Sequence, residues 1–324
     1  MARPRFFATG ALALAAALAL SACAPASSGG DASTEPSASA GFSHTMEGYD
    51  NREFTLDKRP ERIVTDVYSA AALWDYGIRP VGIFGYGFDS PDGLGNVDVE
   101  SIETIIGKDA DYNLEKLAAA KPDLVIGVGN SAGDGWTWWD DAVTAQSGKI
   151  APYLAVQMAS DPVQAIEEYR ALAVELGGDS SAVDQDKKDF EAALERIQAL
   201  SAERSDIRVL AMSPMNDVVY TVANLGNTNL LRDAGVQLVG PPAEGDSPFA
   251  ELSWETVGEH PADIILVLDT AQELVSGIDA FTRLPAAAAG QTMDYNDKRA
   301  WTYGSYAEWL NRFADLYEKA RVVA

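Results

Sequence analysis

The order in which strand-like and helix-like segments alternate restricts the fold of this chain more than any single residue does. Residues 61–66 follow Pro60 and read as a strand, and Ser69 can cap a helix over 69–76 that Gly77 ends. Residues 81–84 give a second strand, leading into a Gly-rich loop over 85–95. Asn113 can cap a helix over 114–120, which Pro122 stops. Leu124-Val125-Ile126 is then an apolar strand of the kind buried in parallel sheets. A helix over 138–146 and a strand over 150–156 continue the pattern. Two longer helices interrupt it. The first spans 162–176, with Asp161 as cap and Pro162 in the first turn. The second spans 182–204, with Val183, Phe190, Leu194, Ile197 and Leu200 on one stripe. The alternation then restarts with a strand over 207–212, a helix over 226–234 and a strand over 237–239. Ser253 opens a helix through 259, a strand covers 264–268, and an amphipathic helix covers 306–319.

The two runs echo one another. Asp75-Tyr76-Gly77-Ile78-Arg79-Pro80-Val81-Gly82 carries the pattern Asp-x-Gly-aliphatic-x-x-Val-Gly, and Asp233-Ala234-Gly235-Val236-Gln237-Leu238-Val239-Gly240 repeats it. Glu115 stands eight residues before Asp123, which precedes Leu124-Val125-Ile126; Glu255 stands eight before Asp263, which precedes Ile264-Ile265-Leu266. Two echoes in the same order predict an α/β chain of two similarly built parallel-sheet lobes bridged by one long helix. The 324 residues exceed one typical domain. The expected division is an N-terminal lobe over 43–180, a linker helix over 181–204 and a C-terminal lobe over 205–324.

The segment before residue 43 reads differently. Arg3 and Arg5 make a basic start, and the apolar stretch 6–20 is shorter than the roughly 20 residues a spanning helix needs. It has signal-peptide length, so residues 1–22 are expected to be removed. Leu20-Ser21-Ala22-Cys23 resembles the lipobox of bacterial lipoproteins. Lipid on Cys23 would hold the chain at the extracytoplasmic face of the cell membrane. Cys23 is the only cysteine, which excludes a disulfide or a thiolate metal site in the fold. Residues 23–42 are small and polar and read as a disordered tether, with a reach of about 20–25 Å. The formal net charge is −25, and residues 1–22 contribute only positive charge, so the remainder is more acidic still. Such a body does not suit nucleic acid or an anionic bilayer; it suits a neutral or cationic ligand, with membrane contact through the lipid alone. A monomer is expected.

Pro60-Glu61-Arg62-Ile63-Val64, Gly77-Ile78-Arg79-Pro80-Val81-Gly82 and the run from Asn113-Leu114-Glu115 through Leu124-Val125-Ile126 resemble the N-lobe pattern of a known family. It comprises the substrate-binding proteins of the iron-siderophore and vitamin B12 ABC importers. Leu252-Ser253-Trp254-Glu255-Thr256-Val257 through Ala262-Asp263-Ile264-Ile265-Leu266 is a looser match to its C-lobe. The resemblance covers about residues 43–324. It implies a periplasmic binding protein fold with a ligand cleft between the lobes. It also implies a glutamate on each lobe, here Glu115 and Glu255, docking into arginines of the importer permease. The implied function is capture of a ferric siderophore and its delivery to that permease. Cobalamin or haem as cargo in the same importer class, or a lipid-anchored sensor or adhesion module, are the alternatives.

Ligands of such folds sit at the carboxyl ends of the strands. Candidate ligand-binding residues there are Tyr68, Tyr86, Phe88, Asn130, Trp136, Trp138 and Trp139 from the first lobe, and Met212, Phe249, Trp301 and Tyr303 from the second. Three tryptophans within four residues cannot all enter one core from a helix, so at least one is expected to be exposed. Aromatic walls suit a bulky chelate. With only His44 and His260, both read as surface or capping residues, no bound metal and no cofactor are expected beyond the Fe(III) of the ligand. The candidate loops carry no Arg or Lys for an anionic catecholate complex. Asp66, Asp89 and Asp134 could anchor a near-neutral or cationic hydroxamate. No Gly-x-Ser-x-Gly elbow is present and neither histidine has an evident nucleophile, so no enzyme activity is expected.

Overall fold

A computed structural model describes residues 41–324, apart from 159–160, 223–224, 243–246 and 248. The expected signal peptide, Cys23 and nearly all of the tether lie outside the described residues. The chain opens with an antiparallel hairpin, β1 (Phe42–Met46) and β2 (Arg52–Leu56). The first lobe follows with β3 (Ile63–Asp66), β4 (Gly82–Gly85), β5 (Thr104–Lys108), β6 (Leu124–Val128) and β7 (Tyr153–Val156). They form one parallel sheet in the order β5-β4-β3-β6-β7. Every residue of β3 and β6 is buried, as expected for strands covered on both faces.

The C-terminal lobe is built on β8 (Arg208–Pro214), β9 (Val219–Val222), β10 (Gln237–Leu238), β11 (Phe249–Leu252), β12 (Ile264–Leu268) and β13 (Thr292–Tyr295). The parallel strands are β10, β8, β12 and β13; β9 folds back antiparallel on β8, and β11 pairs antiparallel with β9. The expected parallel lobe is therefore present, with an antiparallel flank added.

The sequence echoes have a physical basis. Asp123 accepts the backbone amides of Glu61 and Arg62, both at 2.9 Å, just where β6 begins to pair with β3. Asp263 does the same for Arg208 (3.0 Å) where β12 meets β8, and also accepts from the Arg208 side chain, Val323 and Ala324. Each carboxylate fixes the register of a central strand pair. Burial works to raise the Asp263 carboxyl, but these donors together outweigh it and hold its pKa below the usual range. Gly77 and Gly235 both take φ +86°, the left-handed conformation that closes the preceding helix in each lobe.

The bridging helix Asp184–Glu203, preceded by a 3-10 turn at Ser180–Val183, buries Phe190, Ala193, Ile197 and Ser201. It packs along the terminal helix Tyr303–Lys319. Arg204 donates to the carbonyls of Tyr317 (2.6 Å), Glu318 and Ala320, satisfying the otherwise orphaned C-terminal end of that helix. Some local expectations differ from the structure. The Ser253 segment is a turn followed by a single 3-10 turn, Val257–Glu259. The helix expected over 138–146 is Asp141–Ser147, because Asp140 rather than a tryptophan caps it. Among the described residues, no helix is long and apolar enough to cross a membrane.

Glu168, on the helix Pro162–Glu175, is buried, and its Oε1 has no hydrogen-bond partner. Burial, with the Glu47 carboxylate adding to it, pushes its pKa up to about 7. Between pH ~4.5 and ~7 the folded chain keeps a proton that the unfolded chain has released, so stability falls as pH rises through that window. Glu168→Gln is expected to remove this loss, on the order of 2–3 kcal/mol, which thermal unfolding at pH 5 and pH 8 reads directly.

Candidate functional site

The order of the first sheet reverses at β3, so a crevice opens at the carboxyl ends of β3 and β6. Asp66 ends β3 there and has no exposed surface. It caps the helix Val67–Trp74 by accepting the Ser69 amide at 2.8 Å; Ser69, expected as the cap, is instead the donor. Its other oxygen accepts the Val128 amide at 2.8 Å and the Trp136 indole N–H at 3.0 Å. Burial raises the carboxyl's pKa, and these donors oppose the rise. The packing depends on glycine: Gly85 has φ +107°, and a Cβ there would lie 2.9 Å from Trp136. Asp66 is thus a structural pin rather than the ligand anchor expected of it.

Trp136, Trp138 and Trp139 sit in a turn after β6, not on a helix, and point to different places. Trp139 enters the core, with ring centroids 5.4 Å from Phe84, 4.6 Å from Tyr112 and 5.4 Å from Tyr153. Trp136 is buried beside Phe84 and Tyr86. Trp138 is 41% exposed and lies against Tyr68 (6.1 Å) and Tyr86 (5.5 Å). Tyr68 also stacks at 5.8 Å on Trp301 of the second lobe, which stacks at 5.9 Å on Tyr169. An aromatic wall therefore runs from one lobe into the other.

Next to it a cavity of about 240 Å³ opens between the lobes. Tyr68, Tyr86, Asp89 and Asp109 line it from the first lobe, and Asp269, Asn296, Asp297 and Lys298 from the second. The lobes touch beside this cavity. Asn296 donates to Ser90 (2.9 Å) and Asp269 (2.7 Å), the Ala300 amide donates to the Asp92 carbonyl at 2.8 Å, and buried Arg299 pairs with the Asp92 carboxylate.

Of the sequence candidates, Tyr68 and Tyr86 line the cavity, and Trp138 and Trp301 extend its aromatic wall. Asp89 is at the rim. Asn130 ties its own loop, bonding Asp134 at 2.9 Å, so Asp134 serves that loop. Phe88 packs on the first lobe, with Lys108 5.1 Å over its ring. Met212 has no exposed surface and belongs to the core of the second lobe. Tyr303 is buried against Phe190 and donates to Glu167. Phe249 packs against Tyr220 at a separate cavity. His44, expected at the surface, is buried with Nδ1 2.7 Å from Glu175, and His260 ends the 3-10 turn Val257–Glu259. No group of acidic, histidine or cysteine side chains among the described residues could hold a metal ion. Glu115 is exposed in the first turn of the helix Leu114–Ala120, and Glu255 is exposed in the turn after β11. The Ser253 hydroxyl holds the Glu255 carboxyl below its usual pKa. Asp109, Asp269, Asn296, Asp297 and Lys298 were missed. The last three follow β13, a strand the sequence reading did not contain.

A family model described as periplasmic binding protein matches residues 96–298. The chain is similar to the crystal structure of DesE, a ferric-siderophore receptor protein from Streptomyces coelicolor. The identity is 29%, over 87% of this chain and all of that one, with a TM-score of 0.78. It shares its fold with the siderophore binding protein FhuD from Vibrio cholerae bound to Fe3+–Desferal (17% identity, 80% of this chain and 98% of that one, TM-score 0.61). It also shares it with a periplasmic binding protein component of a Fep/Fec-like ferrichrome ABC transporter from Bacillus subtilis (18% identity, 82% and 99%, TM-score 0.60). No curated protein sequence matches significantly.

Asp66→Ala would leave the Val128 amide and the Trp136 indole buried without an acceptor. It is expected to destabilise the chain by about 3 kcal/mol and to shift tryptophan emission to the red, measured together in a urea titration.

Proposed function

Because this chain belongs to the periplasmic binding protein family, a family of solute-binding proteins rather than enzymes, we propose that it captures a ferric siderophore and hands it to an ABC importer permease. The observation that carries this reading is the cavity between the lobes, lined by Tyr68, Tyr86 and carboxylates of both lobes, beside an aromatic wall that Trp138 and Trp301 extend. Flat aromatic faces contact a bulky chelate broadly at little cost in side-chain entropy. The charge selects among chelates. Tris-catecholate complexes of Fe(III) are strongly anionic and would meet Asp89, Asp109, Asp269 and Asp297 with only Lys298 to offset them; a hydroxamate complex, neutral or cationic, meets no such repulsion. The ferric-siderophore receptor function of DesE supports the cargo class.

The remaining parts of the reading concern delivery. Cleavage before Cys23 and lipid on that residue would anchor the chain outside the cell membrane, and the tether through residue 42 would let the folded body reach its permease. Glu115 and Glu255, both exposed and one on each lobe, are the docking contacts.

Titrating the full chain with a ferric hydroxamate, a ferric catecholate, haem and cobalamin tests the cargo. Saturable quenching of tryptophan fluorescence is expected for the hydroxamate at sub-micromolar concentration and weaker for the rest; silence from all four would sink the reading. Reversing both Glu115 and Glu255 to lysine is expected to abolish uptake into cells and leave chelate affinity unchanged. A loss of affinity would count against the docking role.

A further inference from the structure

The turn that carries the tryptophans is held by the N-terminal hairpin as well as by Asp66. The hairpin β1–β2 reverses through Asp50 and Asn51, which take φ +55° and +53°; a tight hairpin turn matched to the twist of its strands requires such a left-handed pair. The reversal presents Tyr49 and Arg52 to the loop between β6 and Trp136. Arg52 donates to the carbonyls of Ala132 (3.1 Å) and Gly133 (2.6 Å), and its guanidinium lies 5.7 Å from the centre of the Tyr49 ring. Two glycines make room for this contact. A Cβ at Gly129 would collide with the Tyr49 hydroxyl, and one at Gly133 with the Tyr49 ring and Arg52. The loop also closes on itself, through the Asn130 amide on the Gly135 carbonyl at 2.8 Å and the bridge between Gly129 and Trp136. Trp138, two residues further on, is the exposed end of the aromatic wall. The hairpin therefore grips the loop that sets where Trp138 stands.

The same hairpin rests on the helix Pro162–Glu175. His44 Nδ1 meets Glu175 at 2.7 Å, and Glu168, seven residues earlier on the helix, is buried with its Oε1 unpartnered. The titratable groups that act across this contact are Glu47 and Tyr49 of the hairpin, with Arg52 beside Tyr49, and Tyr169 on the helix itself. Glu168 thus faces a carboxylate and phenols rather than a cation. Burial first and Glu47 second push its pKa up to about 7. The neutral acid tolerates this enclosure. The carboxylate has no donor at Oε1 and is repelled by Glu47, so it favours arrangements in which the hairpin lifts away from it. The hold of the hairpin is therefore complete below pH ~7 and is lost as pH rises through that value.

We propose that the hairpin β1–β2 is a brace that positions the tryptophan turn, and that ionisation of Glu168 loosens it. The wall around Trp138 is then ordered in mildly acidic medium and slackens in alkaline medium. Arg52 and Tyr49 are positioning residues: they hold the loop, and the loop holds Trp138. A solute seated against Trp138 inherits the same pH dependence in its affinity. A loss of overall stability alone would not produce it, because a chain that stays folded at both pH values binds equally well unless the wall itself moves.

Acrylamide quenching of tryptophan fluorescence in the full chain, followed from about pH 6 to about pH 8.5 while far-ultraviolet circular dichroism confirms folding, reads the exposure of Trp138. The same series in Trp138→Phe isolates its share. In the wild-type chain that share is expected to become more quenchable through a midpoint near pH 7, and in Glu168→Gln to stay flat. Arg52→Gln should show the more quenchable state at every pH. The tie to capture rests on the ferric hydroxamate reading above. A ferric trihydroxamate is expected to bind the wild-type chain about threefold more weakly at pH ~8.5 than at pH ~6, and Glu168→Gln equally at both. Quenching that is flat in the wild-type chain, or a transition that persists in Glu168→Gln, overturns the brace. Equal affinity at the two pH values in the wild-type chain overturns its hold on capture. Absence of chelate binding at either pH counts against the cargo reading alone, and the quenching series still decides the brace.

Discussion

A carboxylate with no access to water sits where the first sheet reverses direction, and the candidate site is assembled around it. Asp66 joins the start of the helix Val67–Trp74, which follows it directly, to the end of β6 and the turn that carries the tryptophans, more than sixty residues away. Burying such a group is unfavourable unless donors surround it, and here three N–H groups do. Tyr68 is held two residues after the pin, and Trp138 two residues after Trp136, so the aromatic wall inherits its geometry from a residue that does not line the cavity. The glycine at 85 belongs to the same arrangement, because a side chain there would collide with the indole that Asp66 holds.

The two lobes use one solution twice and then diverge. In each, an aspartate at the start of a central strand accepts the amides of the strand beside it, and a left-handed glycine closes a helix. The second lobe adds the antiparallel β9 and β11, which turn part of its sheet away from strict alternation with helices. Repetition explains why the chain divides into similar halves. Both lobes bring carboxylates to the cleft, while the second alone adds Asn296 and Lys298 and the first supplies most of the aromatic rings.

The legibility of the sequence followed the strength of local signals. Helices with a clear cap and a stop, such as Leu114–Ala120 between Asn113 and the Pro122 segment, and Pro162–Glu175 after Asp161, emerged within a residue or so of their observed bounds. Apolar strands β6 and β12 were equally clear. The hairpin β1–β2, and β5, β9, β11 and β13, were not seen, because they mix polar and apolar residues and owe their structure to pairing partners far along the chain. That omission carried through to the site: without β13 there was no strand end from which to place Asn296, Asp297 and Lys298. The burial of Met212 was illegible for a related reason, since position along a strand does not say which face of the sheet a side chain takes, and Tyr303 opens the terminal helix, where its neighbours are set by packing on Phe190. The family itself was readable from the order of elements and a few short motifs.

The contact between the lobes beside the cavity has a mechanical meaning of its own. A clamshell with a single hinge wanders between open and shut forms, and its apparent affinity is diluted by the fraction of time it spends in the wrong one. Here a covered guanidinium on Asp92, a backbone bond from Ala300 and the Ser90–Asn296 bridge form a second fastening in addition to the helix Asp184–Glu203. Opening it would break the Arg299–Asp92 pair and the Ala300 and Asn296 hydrogen bonds together. The jaws therefore stay nearly at their resting spacing, and recognition proceeds by entry into a mouth already formed. For a solute that enters this mouth, capture proceeds at a pace set by encounter rather than by closure.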